Sequence, residues 1–322
     1  MSGTAVAQAD PDGRSCSQFV AIESFSDALD KTDFESVYVG NLSALTTYEN
    51  GDVGALSDRS ALFTLDRTSQ QPIAVATLVD EQGQPLDAEG LALDADDTVL
   101  VSSETEPSVR RYTRQGALLG RLPVPEPLLV APPGRAKANA TFEGLTLQPG
   151  GRTLVASMES PLTGDAEGIV RFPTWSRDGG SDFVPGPQLA YRVDDGMGVA
   201  EIRYTPDGRL LVLERTFVGG VGNTVRLYLA DLAAGSDVSN VQDLSAADRV
   251  LPKTLLTDLV DCPTLGATAK QPQPNPLLDN IEGMTVLAAE RDRMTVLLVS
   301  DDNQRPTQIT RLYSLAVRLP AR

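Results

Sequence analysis

The chain contains no histidine. That absence removes Ser-His-Asp and Cys-His catalysis, histidine-ligated zinc, and the side chain that most often serves as a general base near neutral pH. Catalysis, if there is any, must run on carboxylates, Arg, Lys, Tyr, hydroxyls or a hard metal ion. Cysteine is nearly as scarce: only Cys16 and Cys262 occur. Paired, they would close a loop worth about 5 kcal/mol in the chain-entropy picture. Unpaired, they are two ordinary thiols, and the sequence leaves both readings open. Lysine is confined to positions 31, 137, 253 and 270, so nearly all positive charge is arginine. No apolar run approaches the roughly 20 residues of a membrane-spanning helix, so no membrane insertion is expected.

Acids fill the space left by the missing bases. Asp and Glu number 44 against 27 Lys and Arg, a net charge of -17. Such a surface repels a phosphate backbone and an anionic bilayer, which argues against nucleic-acid and membrane partners. It suits divalent cations. The opening Thr4-Ala5-Val6-Ala7-Gln8-Ala9 reads as the tail of a processed export signal, with Ala7-x-Ala9 at the cleavage point. Residues 1–15 are therefore expected to be a disordered remnant or tag. Residues 16–322 are expected to form one domain of a secreted or periplasmic protein, monomeric in solution.

The organising feature is a repeat. Phe142-Glu143-Gly144-Leu145-Thr146-Leu147 leads through a Gly-rich turn into Thr153-Leu154-Val155-Ala156-Ser157-Met158-Glu159. This is a hairpin that opens on an acid and ends on another. Copies start at Ala88-Glu89-Gly90, Ala200-Glu201-Ile202 and Ile281-Glu282-Gly283, with a weaker one at Leu42-Ser43-Ala44. Two further short strands follow most of them. Four strands per unit, with turn signals between, predict an all-β fold: a β-propeller. Five blades are visible, a sixth would be possible, and the N-terminal strand should complete the last blade, which lacks its outermost strand. The Pro-rich loops at 123–139 and 263–279 each precede an acid-bearing strand and could form a lid.

Inner strands of a propeller line its channel. The pattern aligns Glu89, Glu143, Glu201 and Glu282, with Ser43 in the fifth repeat. A second set, Asp58, Glu104, Glu159, Glu214 and Asp301, ends the second strands, so both sets should meet at one rim. Two carboxylates about 5 Å apart repel by roughly 3 kcal/mol at an effective dielectric near 20. A ring of them needs arginine partners, shared protons or a bound cation. Arg59, Arg215 and Arg305 offer the first. An oxygen-ligated cation, expected to be Ca²⁺, offers the last, with Glu89, Glu143, Glu201, Glu282, Asp58 and Asp301 as ligands. The run Asp94-Ala95-Asp96-Asp97 reads as a solvated turn, and Trp175 as a packing or surface-loop residue.

Ala55-Leu56-Ser57-Asp58-Arg59-Ser60, Val101-Ser102-Ser103-Glu104, Phe142-Glu143-Gly144-Leu145, Leu213-Glu214-Arg215, Asp279-Asn280-Ile281-Glu282-Gly283 and Val299-Ser300-Asp301-Asp302-Asn303 occur in that order. Together they resemble the phytase-like propeller family labelled "esterase-like activity of phytase", over roughly residues 40–315. The resemblance implies an exported bacterial propeller that hydrolyses phosphoric or carboxylic esters, with a small-molecule ester as its partner. In that reading Glu143 or Glu282 acts as general base. Arg59 and Arg215 assist catalysis, and Arg305 with Asn303 binds substrate. Two other readings stand beside it: a non-catalytic propeller that binds a partner, polymer or cation, and a lactonase with a carboxylate-held metal.

Overall fold

A computed structural model describes residues 13–180, 182–246 and 248–322. The remainder of the expected export-signal remnant, residues 1–12, lies outside the described residues. Ser15 already bridges to Ala21.

The repeat folds into five four-stranded antiparallel sheets arranged as the blades of a propeller. There is no sixth. Blade 1 runs outward from Leu42–Thr47 through Val53–Ser57 and Ala61–Leu65 to Pro72–Thr77. Blade 2 runs from Ala88–Leu93 to Leu118–Arg121, blade 3 from Phe142–Leu147 to Val184–Arg192, and blade 4 from Gly198–Tyr204 to Lys253–Asp258. Blade 5 takes three strands from the C-terminal end, Ile281–Glu290, Arg293–Ser300 and Leu312–Arg318. Its fourth is the N-terminal Val20–Ser26, paired antiparallel with Leu312–Arg318. A Cys16–Cys262 disulfide ties the segment before that strand to the loop after blade 4. The ring is thus closed both by a shared sheet and by a covalent bond.

Apolar alternation explains the packing. The inner strands of each blade are buried on both faces against the neighbouring blades, so most of their residues pointing either way are apolar, whereas outermost strands such as Pro72–Thr77 and Leu118–Arg121 are largely exposed. Leu145, Phe172 and Tyr191 of blade 3 pack with Ile202, Val212 and Tyr228 of blade 4. Leu213 and Leu227 of blade 4 meet Met284, Leu298 and Tyr313 of blade 5, whose Leu297 and Val299 meet Leu45 and Phe63 of blade 1. Trp175 is fully buried edge-on to Phe142, 5.9 Å between ring centroids, so it is a packing residue. Among the described residues no helix is long and apolar enough to cross a membrane.

The Pro-rich loop before blade 5 is anchored to the body. Buried Arg311 donates to Pro276 O and Leu277 O and pairs with Asp27, while Asn275 Nδ2 donates to Val260 O and Cys262 O.

Candidate functional site

In each blade the inner strand carries an extra residue, a β-bulge, at its rim end. Blade 1 pairs Leu42 with Ser57 and Ala44 with Leu56, leaving Ser43 as the bulge. The same register leaves Glu282 as the bulge in blade 5, and Glu89-Gly90 and Glu143-Gly144 span it in blades 2 and 3. Blade 4 departs from the sequence alignment. There Val199 pairs with Glu214 and Glu201 with Leu213, so Ala200 is the bulge. Glu201 falls instead where the others have Ala44, Gly90, Gly144 and Gly283. The second strand shifts in step. Arg215, paired with Gly198, takes the place that Asp58, Glu104, Glu159 and Asp301 hold elsewhere. The latter four are fixed alike: their amides donate to Asn41 O, Asp87 O, Thr141 O and Asn280 O at 2.8–2.9 Å.

The rim is therefore a ring of carboxylates around one guanidinium. Arg215 Nη2 donates to Glu282 Oε1 at 2.5 Å. Burial alone would lower its pKa, but Glu282, Glu143, Glu159 and Asp301 outweigh that and hold it charged. Two groups of carboxylate oxygens lie within 4.8 Å of one another: Asp87, Glu89 and Glu104, and Glu104, Glu143 and Glu159. Burial, then Glu282 and Glu104, pushes Glu89 well above the usual carboxylate range, and burial, then Glu89 and Glu159, does the same to Glu143. Glu104 is pushed up to about 7 by burial and by Glu159. Asp301 is raised by burial and by Glu282, and Asp58 by burial despite Asn41 and Arg59. Partly buried Arg215 and exposed Arg59 together do not neutralise this set.

The two blade-4 acids have other work. Glu201 is fully buried and accepts from Leu145 N (3.2 Å), Ile202 N (2.9 Å) and Arg203 Nη2 (2.9 Å). A Cβ on Gly144 would sit 2.8 Å from Glu201 Oε1 and 2.5 Å from Ile202 N, so glycine there makes room for the carboxylate. Arg203 reaches every other blade. It donates to Leu45 O (2.6 Å), Leu91 O (3.0 Å), Leu145 O (3.2 Å) and Met284 O (3.0 Å), four equivalent carbonyls. Glu201 is thus the counter-ion of an axial arginine beneath the ring, and its place among the metal ligands is withdrawn. Glu214 turns away as well, accepting from Tyr191 Oη, Lys253 Nζ and Asp194 N.

The other expected residues divide. Arg59 stands at the rim, largely exposed, with Nε 3.5 Å from Asp58 Oδ1. Asn303 and Arg305 are exposed beside Asp301. It is the Asn303 backbone amide that serves Asp301 Oδ1, at 2.7 Å. Asp302 faces the other way, toward Lys31, Tyr38 and the Asn41 amide. Asp94 is not solvated as expected. It is buried, paired with Arg111 (2.7 Å) and Arg177 (2.8 Å). Asp87, Asn280 and Arg203 are at the site without having been expected as site residues. Asn280 Nδ2 donates to Glu282 Oε1 (3.0 Å) and reaches Asp301 Oδ2 (3.4 Å).

A pH dependence follows. Glu104 is raised to about 7, and burial, opposed by Arg203, likewise pushes Glu201 up to about 7. A carboxyl raised on folding binds its proton more tightly in the native state, so stability falls as pH rises. In chelator, the free energy of unfolding should therefore increase on going from pH 7 to about 4.5, measured by urea denaturation. A flat or falling profile would mean that the ring is compensated in some other way.

Similar solved structures include a streptogramin B lyase, 10% identical over 88% of this chain and 84% of that one with a TM-score of 0.40. Another is a protein of unknown function from Dyadobacter fermentans, 12% identical over 93% of this chain and 99% of that one with a TM-score of 0.47. No curated protein matches the chain. A family model described as "Phytase-like: Esterase-like activity of phytase" spans residues 37–304, and the chain belongs to that family.

Proposed function

We propose that the protein is an exported, calcium-dependent hydrolase of phosphoric or carboxylic esters, with the acid ring as its centre. The observation that carries this reading is the surplus of converging carboxylates: two groups of oxygens, each within 4.8 Å, that share Glu104, against one partly buried arginine, Arg215, and the exposed Arg59. Such a donor set is hard, anionic and irregular, which suits Ca²⁺ with its six to eight oxygen ligands better than a small octahedral ion. Glu104 with Glu143 and Glu159, and Asp87 with Glu89, are the residues that would hold it. When bound, the ion would supply a Lewis acid that polarises an ester or phosphoryl oxygen.

The remaining chemistry belongs to the chain. Glu282 is held by Arg215 and Asn280, whereas Glu143 is surrounded by other carboxylates, which favours Glu143 as the group that accepts a proton from the attacking water. Arg215 is placed to balance negative charge that develops on the substrate. The bulges aim these side chains across the rim. Family membership supports the ester-hydrolase class, and the disulfide supports an oxidising, extracytoplasmic compartment.

The test is turnover of 4-nitrophenyl butyrate and 4-nitrophenyl phosphate by protein first stripped with EDTA and then given calcium. Activity should be lost on chelation and return with Ca²⁺. No turnover under either condition, with no metal retained on purification, would leave a non-catalytic binding propeller.

A further inference from the structure

Blade 4 differs from the others in height as well as in register. In blades 1 to 3 the second strand stops at Ser57, Ser103 or Met158, one residue short of the rim position. In blade 4 the strand Leu210–Val218 runs past Arg215, and the ladder with Gly222–Ala230 continues through Thr216↔Thr224 and Phe217↔Asn223 to Val218↔Gly222. The extension lifts a hairpin above the ring. Its tip carries Phe217, Val218 and Val221, which are 49%, 52% and 58% exposed. The Pro-rich loop braces it: the Asn223 amide donates to Gln273 Oε1 at 2.7 Å, and a Cβ on Gly222 would lie 2.6 Å from Pro272 O. Of the two loops expected as a lid, the one at 263–279 thus supports a wall.

Strand alternation places Arg215 and Phe217 on one face, roughly 7 Å apart along the strand. Both line a cleft of about 1050 Å³ between blades 3 and 4, which also takes in Glu143, Glu159, Met197 and Lys137. A cleft of this size can enclose most of a small molecule. Where blades 2, 3 and 5 carry a glutamate at the bulge, blade 4 carries Ala200, so its inner strand adds no carboxylate to the ring on this side.

We propose that this cleft selects esters that carry an apolar group and at most one negative charge, with Phe217 seating the apolar group while the ester reaches Arg215. The inference rests on the hydrolase reading and names its substrate class. Charge decides against polyphosphates. The cleft offers two cations, Lys137 and Arg215, of which Arg215 is already paired with Glu282, and exposed Glu167 and Asp195 stand at its mouth. Even two divalent ions, contributing four positive charges, would leave the eight carboxylates of Asp58, Asp87, Glu89, Glu104, Glu143, Glu159, Glu282 and Asp301 in surplus when ionised. A hexakisphosphate would enter against that field. A neutral ester meets no such barrier and gains from burying its apolar surface against Phe217.

The test combines binding with turnover. Saturation-transfer NMR would measure binding of 4-nitrophenyl butyl ether, which has no ester to cleave, to the wild type, Phe217→Ser and Phe217→Leu. Kinetics would compare 4-nitrophenyl acetate, 4-nitrophenyl butyrate and inositol hexakisphosphate. The ether should bind the wild type, weaken about tenfold in Phe217→Ser and recover in Phe217→Leu. KM for the butyrate should rise by a similar factor, KM for the acetate should barely move, and the hexakisphosphate should be the poorest substrate. Ether binding that depends on Phe217 in a protein without turnover would uphold the cleft's selectivity and sink the hydrolase reading. Ester turnover with ether binding indifferent to Phe217, or with the hexakisphosphate preferred, would overturn the selectivity and leave the hydrolase standing.

Discussion

Replacing Arg203 with methionine should destabilise the fold by about 3–5 kcal/mol, the usual consequence of stripping one partner from a buried ion pair. Methionine fills similar space but donates nothing. Glu201 would be left as a buried carboxylate with only backbone donors, and the carbonyls of Leu45, Leu91, Leu145 and Met284 would lose a shared partner. No other described side chain donates to all four remaining blades, so the loss falls on ring closure. Arg203→Lys should recover only part of it, since an ammonium has three donors on a point charge where the guanidinium has five in a planar fork. Arg203→Met with Glu201→Gln should be less damaging than Arg203→Met alone, because the stranded charge is gone. Calorimetry would check all three. A shift below about 1 kcal/mol for Arg203→Met would show that the axial contacts are dispensable.

The second large effect concerns Glu143. Glu143→Gln should lower kcat for a nitrophenyl ester by a hundredfold or more, the range expected when a positioned base is removed. In chelator the same variant should be more stable than the wild type by about 1–3 kcal/mol, because it removes one member of a crowded set of carboxylates. The opposite signs matter. A merely structural glutamate would lose stability on substitution, and a solvated one would change neither quantity. Unchanged kcat would remove Glu143 from the chemistry. Lower stability in chelator would mean that its charge is already satisfied in the fold.

The propeller was legible because its physics is local. Hairpins with acids at both ends recur along the chain, and the missing outer strand of the last unit matches a spare one at the start, which does complete blade 5. Five of the six expected metal ligands gather at the rim for the same reason. Blade 4 was misread because Ala200-Glu201-Ile202 copies the wording of Ala88-Glu89-Gly90 one residue out of phase. Side-chain direction in a bulged strand depends on pairing register, which composition does not show. A signal existed: Glu89, Glu143 and Glu282 are each followed by glycine, whereas Glu201 is followed by Ile202. The glycines permit close approach between neighbouring inner strands, and a Cβ on Gly90 would lie 2.4 Å from Glu143 O. A glutamate without one does not belong to the same layer. Arg203 had no such signal, because nothing in a strand sequence tells which arginine lies on the axis. Asp87 and Asn280 were passed over for lying just outside the apolar run, although their carbonyls receive the amides of Glu104 and Asp301.

Calcium titration into chelator-stripped protein, followed by isothermal calorimetry, is the most direct trial of the idea that these converging side chains await a cation. Binding should be saturable, the thermal midpoint should rise with calcium concentration, and both should be lost when Glu104, the residue common to the two oxygen groups, is changed to Gln. Absence of heat and of any thermal shift in the wild type, or binding that survives Glu104→Gln unaltered, would contradict that idea.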